Sequence, residues 1–281
     1  MKLSFSSNGL VRYSVFEAIN KIADAGYTGI ELLADVPHLF IPEVDNDTLF
    51  KLKKVLRNRS LEVANLNVNT VNGYYGRKFW EPLFEPSLAN PDPDARKWRL
   101  DYTLKAIEIA AAIKSPTISI TSGRPVPGCE PDRGLELLAT SLKTVLAFAT
   151  ERNILVAIEY EPGLLIENCK ELKSFLDYMA SPFLGANLDL GHCRVAGEDL
   201  SATINSLNEK IFHIHLEDIK DRKHYHLIPG LGNIDFKKIF IALENISYDG
   251  FVTVELYTYP HKPEIAAEQA LGYLRRFQAW E

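Results

Sequence analysis

The chain is poor in cysteine: Cys129, Cys169 and Cys193 are its only three in 281 residues, an odd number with no C-x-x-C spacing. That pattern argues against a disulfide framework and a structural zinc knot, and it fits a reducing compartment. Long hydrophobic runs are missing as well. No apolar stretch reaches the roughly 18 residues of a membrane span, and the opening MKLSFSSNGL has neither the apolar core nor the cleavage site of a signal peptide. We expect a cytoplasmic protein with no membrane association. Positive charge is also in deficit, with 31 Lys and Arg against 37 Asp and Glu for a formal net charge of −6. Nucleic-acid affinity comes mainly from clustered cations, so a small-molecule partner and no nucleic acid are expected. Finally, no Pro/Gly/Ser-rich linker, charge block or low-complexity tract divides the sequence, and 46% of its residues are hydrophobic. A single domain spanning 1–281 is predicted.

What is present is alternation. Short apolar runs predict strands at 2–6, 29–33, 62–67, 117–121, 155–159, 184–189, 211–216 and 251–256. Stretches of helical period follow them at 14–25, 47–57, 96–113, 133–152, 168–178, 200–207, 235–246 and 263–279. Ser14 with Glu17 forms a capping box, and Asp235 is placed to cap the helix that begins FKKIF. Eight such units point to an α/β fold, a (β/α)8 barrel; a doubly wound open sheet would share the local pattern. One long irregular segment, at about 69–95, follows strand three and is rich in aromatics and proline. Loops of that length are usually functional or mobile, and here it would cover the barrel mouth.

Four consecutive strands end in a residue that ligates metals: Glu159, Asp189, His215 and Glu255. Alternation sends every second side chain inward, and at a strand end that direction opens into the barrel mouth. Parallel neighbours lie about 4.8 Å apart, so the four converge on one small volume. Three carboxylates there repel one another, and a divalent cation removes the repulsion. Three oxygens and an imidazole suit one Mn, Mg or Co ion, with Zn also accommodated.

Other polar residues cluster around these. His192 stands three positions after Asp189 and faces the cavity from the following loop. His224 and His226 point the same way if their segment is extended, while His213 lies deeper and is read as structural. Glu161 rivals Glu159, because the strand could run two residues longer. Asn65, Asn67 and Asn69 alternate on strand three, as do Ser119 and Thr121 on strand four. Asn67 and Thr121 are therefore candidates to bind a hydroxylated ligand, or else part of a polar network in the mouth.

In order and spacing, the pieces YTGIEL, VAIE, NLDLGH, HIHLED, PGLGNIDF and VTVEL resemble the xylose isomerase-like TIM barrel superfamily, specifically its sugar phosphate isomerase/epimerase group. The resemblance spans essentially the whole chain. It implies a divalent metal held by Glu159, Asp189, His215 and Glu255, with the two glutamates as proton acceptor and donor on opposite faces of the substrate. It also implies substrate contact by His192, and a homodimer. The expected chemistry is isomerisation or epimerisation of a small polyhydroxylated carbonyl compound, a keto sugar, inosose or sugar phosphate, through an enediolate. Three alternatives stand beside it: a dehydratase using the same chemistry, an endonuclease IV-like phosphoesterase, and a non-catalytic sugar-binding barrel. The endonuclease type uses three zinc ions and histidines on strands three and four, where this chain has Asn and Thr. His226 does match a histidine of that type, with His224 where it has an aspartate, which leaves a second metal open.

Overall fold

Aliphatic and β-branched runs build eight strands, and each is followed by helix, in a computed structural model that describes residues 1–76 and 83–277. The strands are β1 (Lys2–Ser6), β2 (Gly29–Leu33), β3 (Glu62–Asn67), β4 (Thr117–Thr121), β5 (Leu155–Glu159), β6 (Leu184–Asp189), β7 (Ile211–Leu216) and β8 (Phe251–Val254). All pair in parallel with their sequence neighbours, and β8 pairs with β1 to close the barrel. The chain is a single-domain (β/α)8 TIM barrel.

The helices are α1 (Val15–Asp24), α2 (Asn46–Asn58), α3 (Pro93–Ile113), α4 (Pro131–Glu151), α5 (Cys169–Met179), α6 (Leu190–Ala196), α7 (Leu200–Leu207), α8 (Phe236–Asn245) and α9 (Pro263–Leu274). Ser14 and Glu17 form the capping box at α1, and Asp235 caps α8. Four features depart from the sequence reading, one of them the last helix, α9, which stops at Leu274. Helix α3 starts earlier, at Pro93, because Asp92 accepts from the backbone N–H of Asp94 and Ala95 and proline suits the first helical position. Strand β8 stops at Val254. The segment after β6 is helix α6 rather than loop, capped by Asp189 and terminated at Gly197 in the left-handed conformation. Residues 77–82 of the long segment after β3, and 278–279 of the expected last helix, lie outside the described residues.

Period two divides the strands into two chemistries. One set of alternate residues, including Ile118, Ile120, Val156, Ile158, Ile214 and Val252, is fully buried in the apolar cluster shared with the helices. The other set is polar and bonds across the barrel interior. Ser4 Oγ and Thr253 Oγ1 are 2.5 Å apart, Asn65 donates to Ser119 Oγ at 2.9 Å, and Thr117 Oγ1 donates to Asn65 Oδ1 at 2.9 Å. Buried hydroxyls and amides are tolerated because they satisfy one another. No helix among the described residues is long and apolar enough to cross a membrane.

Two carboxylates shape the loops above the strands. Asp35, after β2, accepts from Thr70 Oγ1 at 2.7 Å and from the backbone N–H of Asn72 and Gly73 at 2.6 and 3.0 Å. It thereby fixes the start of the long segment against the mouth. Asp218, after β7, accepts from the backbone N–H of Ile219, Gly230, Gly232 and Ile234 at 2.8 to 3.1 Å. A Cβ at Gly232 would overlap the Asp218 carboxylate, and Gly230 has a φ of +94°, so both glycines serve this clamp. Replacing Asp218 with Ala strands these donors, and hydrogen bonds to charged groups are worth about 1.5–3 kcal/mol each. The expected result is a stability loss of about 2–3 kcal/mol with faster amide hydrogen exchange at Gly230, Gly232 and Ile234. Unchanged protection at those amides would show that other contacts hold the loop.

Candidate metal centre

The C-terminal ends of β5 to β8 bring Glu159, Asp189, His215 and Glu255 together. Glu159 and Asp189 are the last residues of their strands, His215 is the penultimate residue of β7 in register with Asp189, and Glu255 follows β8. All four are at most 5% exposed. His215 Nδ1 lies 3.2 Å from Glu159 Oε2, 3.7 Å from Glu255 Oε1 and 3.8 Å from Asp189 Oδ2. One imidazole nitrogen therefore faces three carboxylates.

Each carboxylate is aimed by a different device. Asp189 Oδ1 accepts from the His192 backbone N–H at 2.7 Å as the cap of α6, which leaves its Oδ2 buried with no hydrogen-bond partner. Glu159 Oε2 accepts from Asn69 Nδ2 at 2.9 Å and Asn187 Nδ2 at 2.5 Å. Glu255 Oε1 accepts from Asn8 Nδ2 at 2.6 Å. The electrostatics show how crowded the charges are. Burial pushes the Glu255 carboxyl up to about 8, opposed by His215. Burial also works against ionisation of Asp189, yet His192, His226 and His215 around it hold it down to about 2. The His215 imidazole is disfavoured as a cation by burial, but Glu31, Glu255 and Glu159 push it well above its ordinary value.

The remaining expected residues divide. His192 lies on α6; its Nδ1 donates to the Tyr160 carbonyl at 3.0 Å and sits 3.6 Å from Glu159 Oε1, while its Nε2 is 3.9 Å from Asp189 Oδ2. His226 donates from Nδ1 to the Glu255 carbonyl at 2.9 Å, and burial lowers it to about 4. His224 is exposed, with its ring 4.9 Å from that of His192. The two histidines of this segment thus face His192 together, as their spacing suggested, and ligand nitrogens of all three lie within 4.8 Å of one another. His213 lies deeper in β7, with its Nε2 2.9 Å from Thr253 Oγ1 and 3.2 Å from Glu31 Oε2.

A cavity of about 390 Å³ opens above the carboxylates. Glu159, Glu161, His192, Glu255 and Asn67 form its polar side, and Val11, Val36, Leu83 and Tyr257 give it an apolar rim. Glu161 stands beyond the end of β5 and does not join the carboxylate ring, though burial pushes it up to about 7. Asn67 spends its amide on Glu31 Oε1 at 3.2 Å and its oxygen on the Asn69 N–H at 3.1 Å. Thr121 is buried beside Glu159 in the β4–β5 register but is not part of the cavity wall. A groove of about 630 Å³ at the opposite end of the barrel is larger, but no carboxylates and imidazoles converge there.

Several residues escaped the sequence reading. Glu31 on β2 is fully buried and accepts from His215 Nε2 at 2.7 Å; burial would raise it, but His215 and His213 hold it well below its ordinary value. A lone Glu at an inward position of an apolar strand was the available signal. Glu217, two residues after His215, is buried with neither oxygen hydrogen-bonded, and burial beside Asp189 raises it well above its ordinary value. A Cβ at Gly191 would overlap its carboxyl. Asn8 and Asn187 gave no signal beyond their type.

Known proteins share this frame. Fructoselysine 3-epimerase of Shigella flexneri is 24% identical over 280 residues, covering 98% of this chain and 97% of that enzyme. Inosose dehydratase of Mesomycoplasma hyopneumoniae strain J is 28% identical over 291 residues, covering 94% and 89%. A crystal structure of the IOLI protein with a bound zinc atom superposes with a TM-score of 0.78 at 17% identity, covering 98% of this chain and 97% of that one. Because the family model for the xylose isomerase-like TIM barrel matches residues 19–277, the chain belongs to that family.

Proposed function

We propose that this protein is a divalent-metal-dependent isomerase or epimerase of a small polyhydroxylated carbonyl compound, a keto sugar, inosose or sugar phosphate, acting in the cytoplasm. The observation that carries the reading is the buried ring of Glu159, Asp189, His215 and Glu255. Its donor set suits a divalent ion, and Asp189 Oδ2 is a buried oxygen with no hydrogen-bond partner. Relatives named fructoselysine 3-epimerase and inosose dehydratase support the substrate class. When bound, a Mn, Mg, Co or Zn ion supplies a Lewis acid toward the substrate carbonyl and its neighbouring hydroxyl.

The chain's own residues supply the proton chemistry. One of Glu159 and Glu255 takes the proton from the carbon that bears the hydroxyl, and the C–H electron pair passes into the enediolate. The other glutamate returns a proton. Return to the same carbon from the opposite face epimerises; delivery to the former carbonyl carbon, with the hydroxyl hydrogen passing to the former carbonyl oxygen, isomerises. Asn69 and Asn187 hold Glu159, and Asn8 holds Glu255, so neither base has to be oriented at the moment of transfer. His192, Glu161 and Asn67 line the cavity and are assigned to the substrate hydroxyls. His226 holds the Glu255 carbonyl through Nδ1 while its buried Nε2 has no hydrogen-bond partner, so it is assigned to the substrate as well. Thr121 is not part of the cavity wall and would act through Glu159.

A dehydratase reading shares every step up to the enediolate and then expels a β-hydroxyl. Glu161 favours it, since a carboxyl at about 7 on the cavity wall is suited to protonate a leaving hydroxyl. Release of water from the substrate distinguishes the two.

Glu159→Gln and Glu255→Gln are each expected to lower turnover by about 10² to 10⁴-fold, the range for removal of an acid–base group, and to abolish exchange of a substrate C–H into deuterated water. Wild-type turnover in both variants, with metal content unchanged, would refute the proton-transfer assignment. Metal analysis of protein purified without chelator is expected to find a divalent ion that Asp189→Asn loses. An equal content in the variant would place the ion elsewhere.

A further inference from the structure

The fully buried carboxylate of Glu31 is surrounded by hydrogen-bond donors. Its Oε1 accepts from Ser6 Oγ at 2.7 Å and Asn67 Nδ2 at 3.2 Å. Its Oε2 accepts from Asn65 Nδ2 at 2.9 Å and faces His215 Nε2 at 2.7 Å and His213 Nε2 at 3.2 Å.

These donor roles are pinned by separate bonds. Asn65 Oδ1 receives the Thr117 hydroxyl and Asn67 Oδ1 receives the Asn69 N–H, so both amides must turn their NH₂ groups to Glu31. Ser6 Oγ accepts from the Asn8 N–H, which frees its own hydrogen for Glu31. A cage of this kind admits an acceptor and nothing else. The His215 nitrogen that faces it must therefore carry a hydrogen, so when the ring gives up its charge the lone pair falls on Nδ1, the nitrogen turned toward Glu159, Asp189 and Glu255.

We propose that Glu31 is a positioning residue that fixes His215 as the Nε2–H tautomer and so makes Nδ1 the nitrogen offered to a divalent ion. The statement about the ion rests on the metal site proposed above; the statement about the tautomer stands on the cage alone. Carboxylates that accept from the far nitrogen of a ligating histidine orient the ring and raise its basicity, and their loss typically costs about 10–100-fold in metal affinity. Glu31 is on β2, across the barrel from β7, and reaches His215 through the interior. It is not itself part of the cavity wall, which it meets through Asn67, and it touches none of the reacting atoms.

Glutamine is the informative replacement. It has nearly the same shape, but its NH₂ group must face donors that cannot reverse. Turned to the Oε2 side, it would donate to His215 Nε2 and drive the ring hydrogen to Nδ1. Aspartate keeps the charge and the acceptor character.

The test uses ¹⁵N-labelled wild type, Glu31→Gln and Glu31→Asp, each shown to be folded by circular dichroism. The His215 ring nitrogens are read by long-range ¹H–¹⁵N correlation in metal-free protein titrated upward until the ring loses its charge, since the surrounding carboxylates keep it protonated well above its ordinary value. Mn²⁺ affinity is measured by calorimetry on the same samples. The expected result is hydrogen on Nε2 in wild type, and in Glu31→Gln a shift of hydrogen toward Nδ1 with Mn²⁺ binding weakened about 10–100-fold. Glu31→Asp keeps the wild-type tautomer and loses less affinity. Hydrogen on Nδ1 in wild type overturns the proposal without any variant. So does a Glu31→Gln protein with wild-type ring signals and Mn²⁺ affinity within twofold of wild type. If none of the three binds Mn²⁺, the metal reading falls, and the ring spectra alone uphold or overturn the role of Glu31.

Discussion

The imidazole of His215 holds the barrel mouth together because it faces carboxylates at both ends. Its Nε2 is 2.7 Å from Glu31, and its Nδ1 lies within 3.8 Å of Glu159, Asp189 and Glu255. Burying even one isolated carboxylate is strongly unfavourable, and the penalty for several at once is met only by nearby positive charge and directed hydrogen bonds. Every strand from β5 to β8 contributes a group to this arrangement, and β2 closes it from the far side. A register slip of one residue in any of them would turn its group out of the mouth.

The same constraint explains the polar lining of the barrel. Interiors of such barrels are commonly filled with branched aliphatic side chains, but here Ser4, Asn65, Ser119, His213 and Thr253 are linked by hydrogen bonds below the site. These groups do not add much net stability, since folded-state hydrogen bonds largely replace bonds to water. Their contribution is direction: Asn65 and His213 reach Glu31, and Glu31 reaches His215. Apolar packing between strands and helices stabilises the fold, which leaves the interior free to serve orientation.

Above this rigid layer the cavity is finished by loops, and they use the same means. Asp35 and Asp218 gather loop backbone N–H groups that have no strand or sheet partners to satisfy them. One holds the start of the segment after β3, from which Asn69 reaches Glu159; the other holds the segment that carries His226. Chemistry on the strands and shape on the loops is the division expected of a barrel of this kind. The apolar rim of Val11, Val36, Leu83 and Tyr257 belongs to that second layer.

Much of the frame was legible in the sequence because it rests on local rules. Seven strands run over the residues their patterning predicted, since alternation and β-branched content act within a few residues. The convergence of Glu159, Asp189, His215 and Glu255 was legible too, because strand ends in a closed parallel barrel must meet. Helix α6 was not, since the Asp189 to His192 spacing serves equally a cap or a loop, and the choice depends on packing beyond it. The partners of Glu31 were not legible either, for a related reason. Nothing near it in sequence shows that residues 34 and 184 positions further along, Asn65 and His215, will stand against it. Thus the sequence by itself determined the barrel, its order and the four groups that crown it. Only the tertiary structure decided which nitrogen of His215 faces which carboxylate, which oxygen of Asp189 stays unpartnered and which loop residues wall the cavity, because those depend on distances that exist only once the barrel has closed.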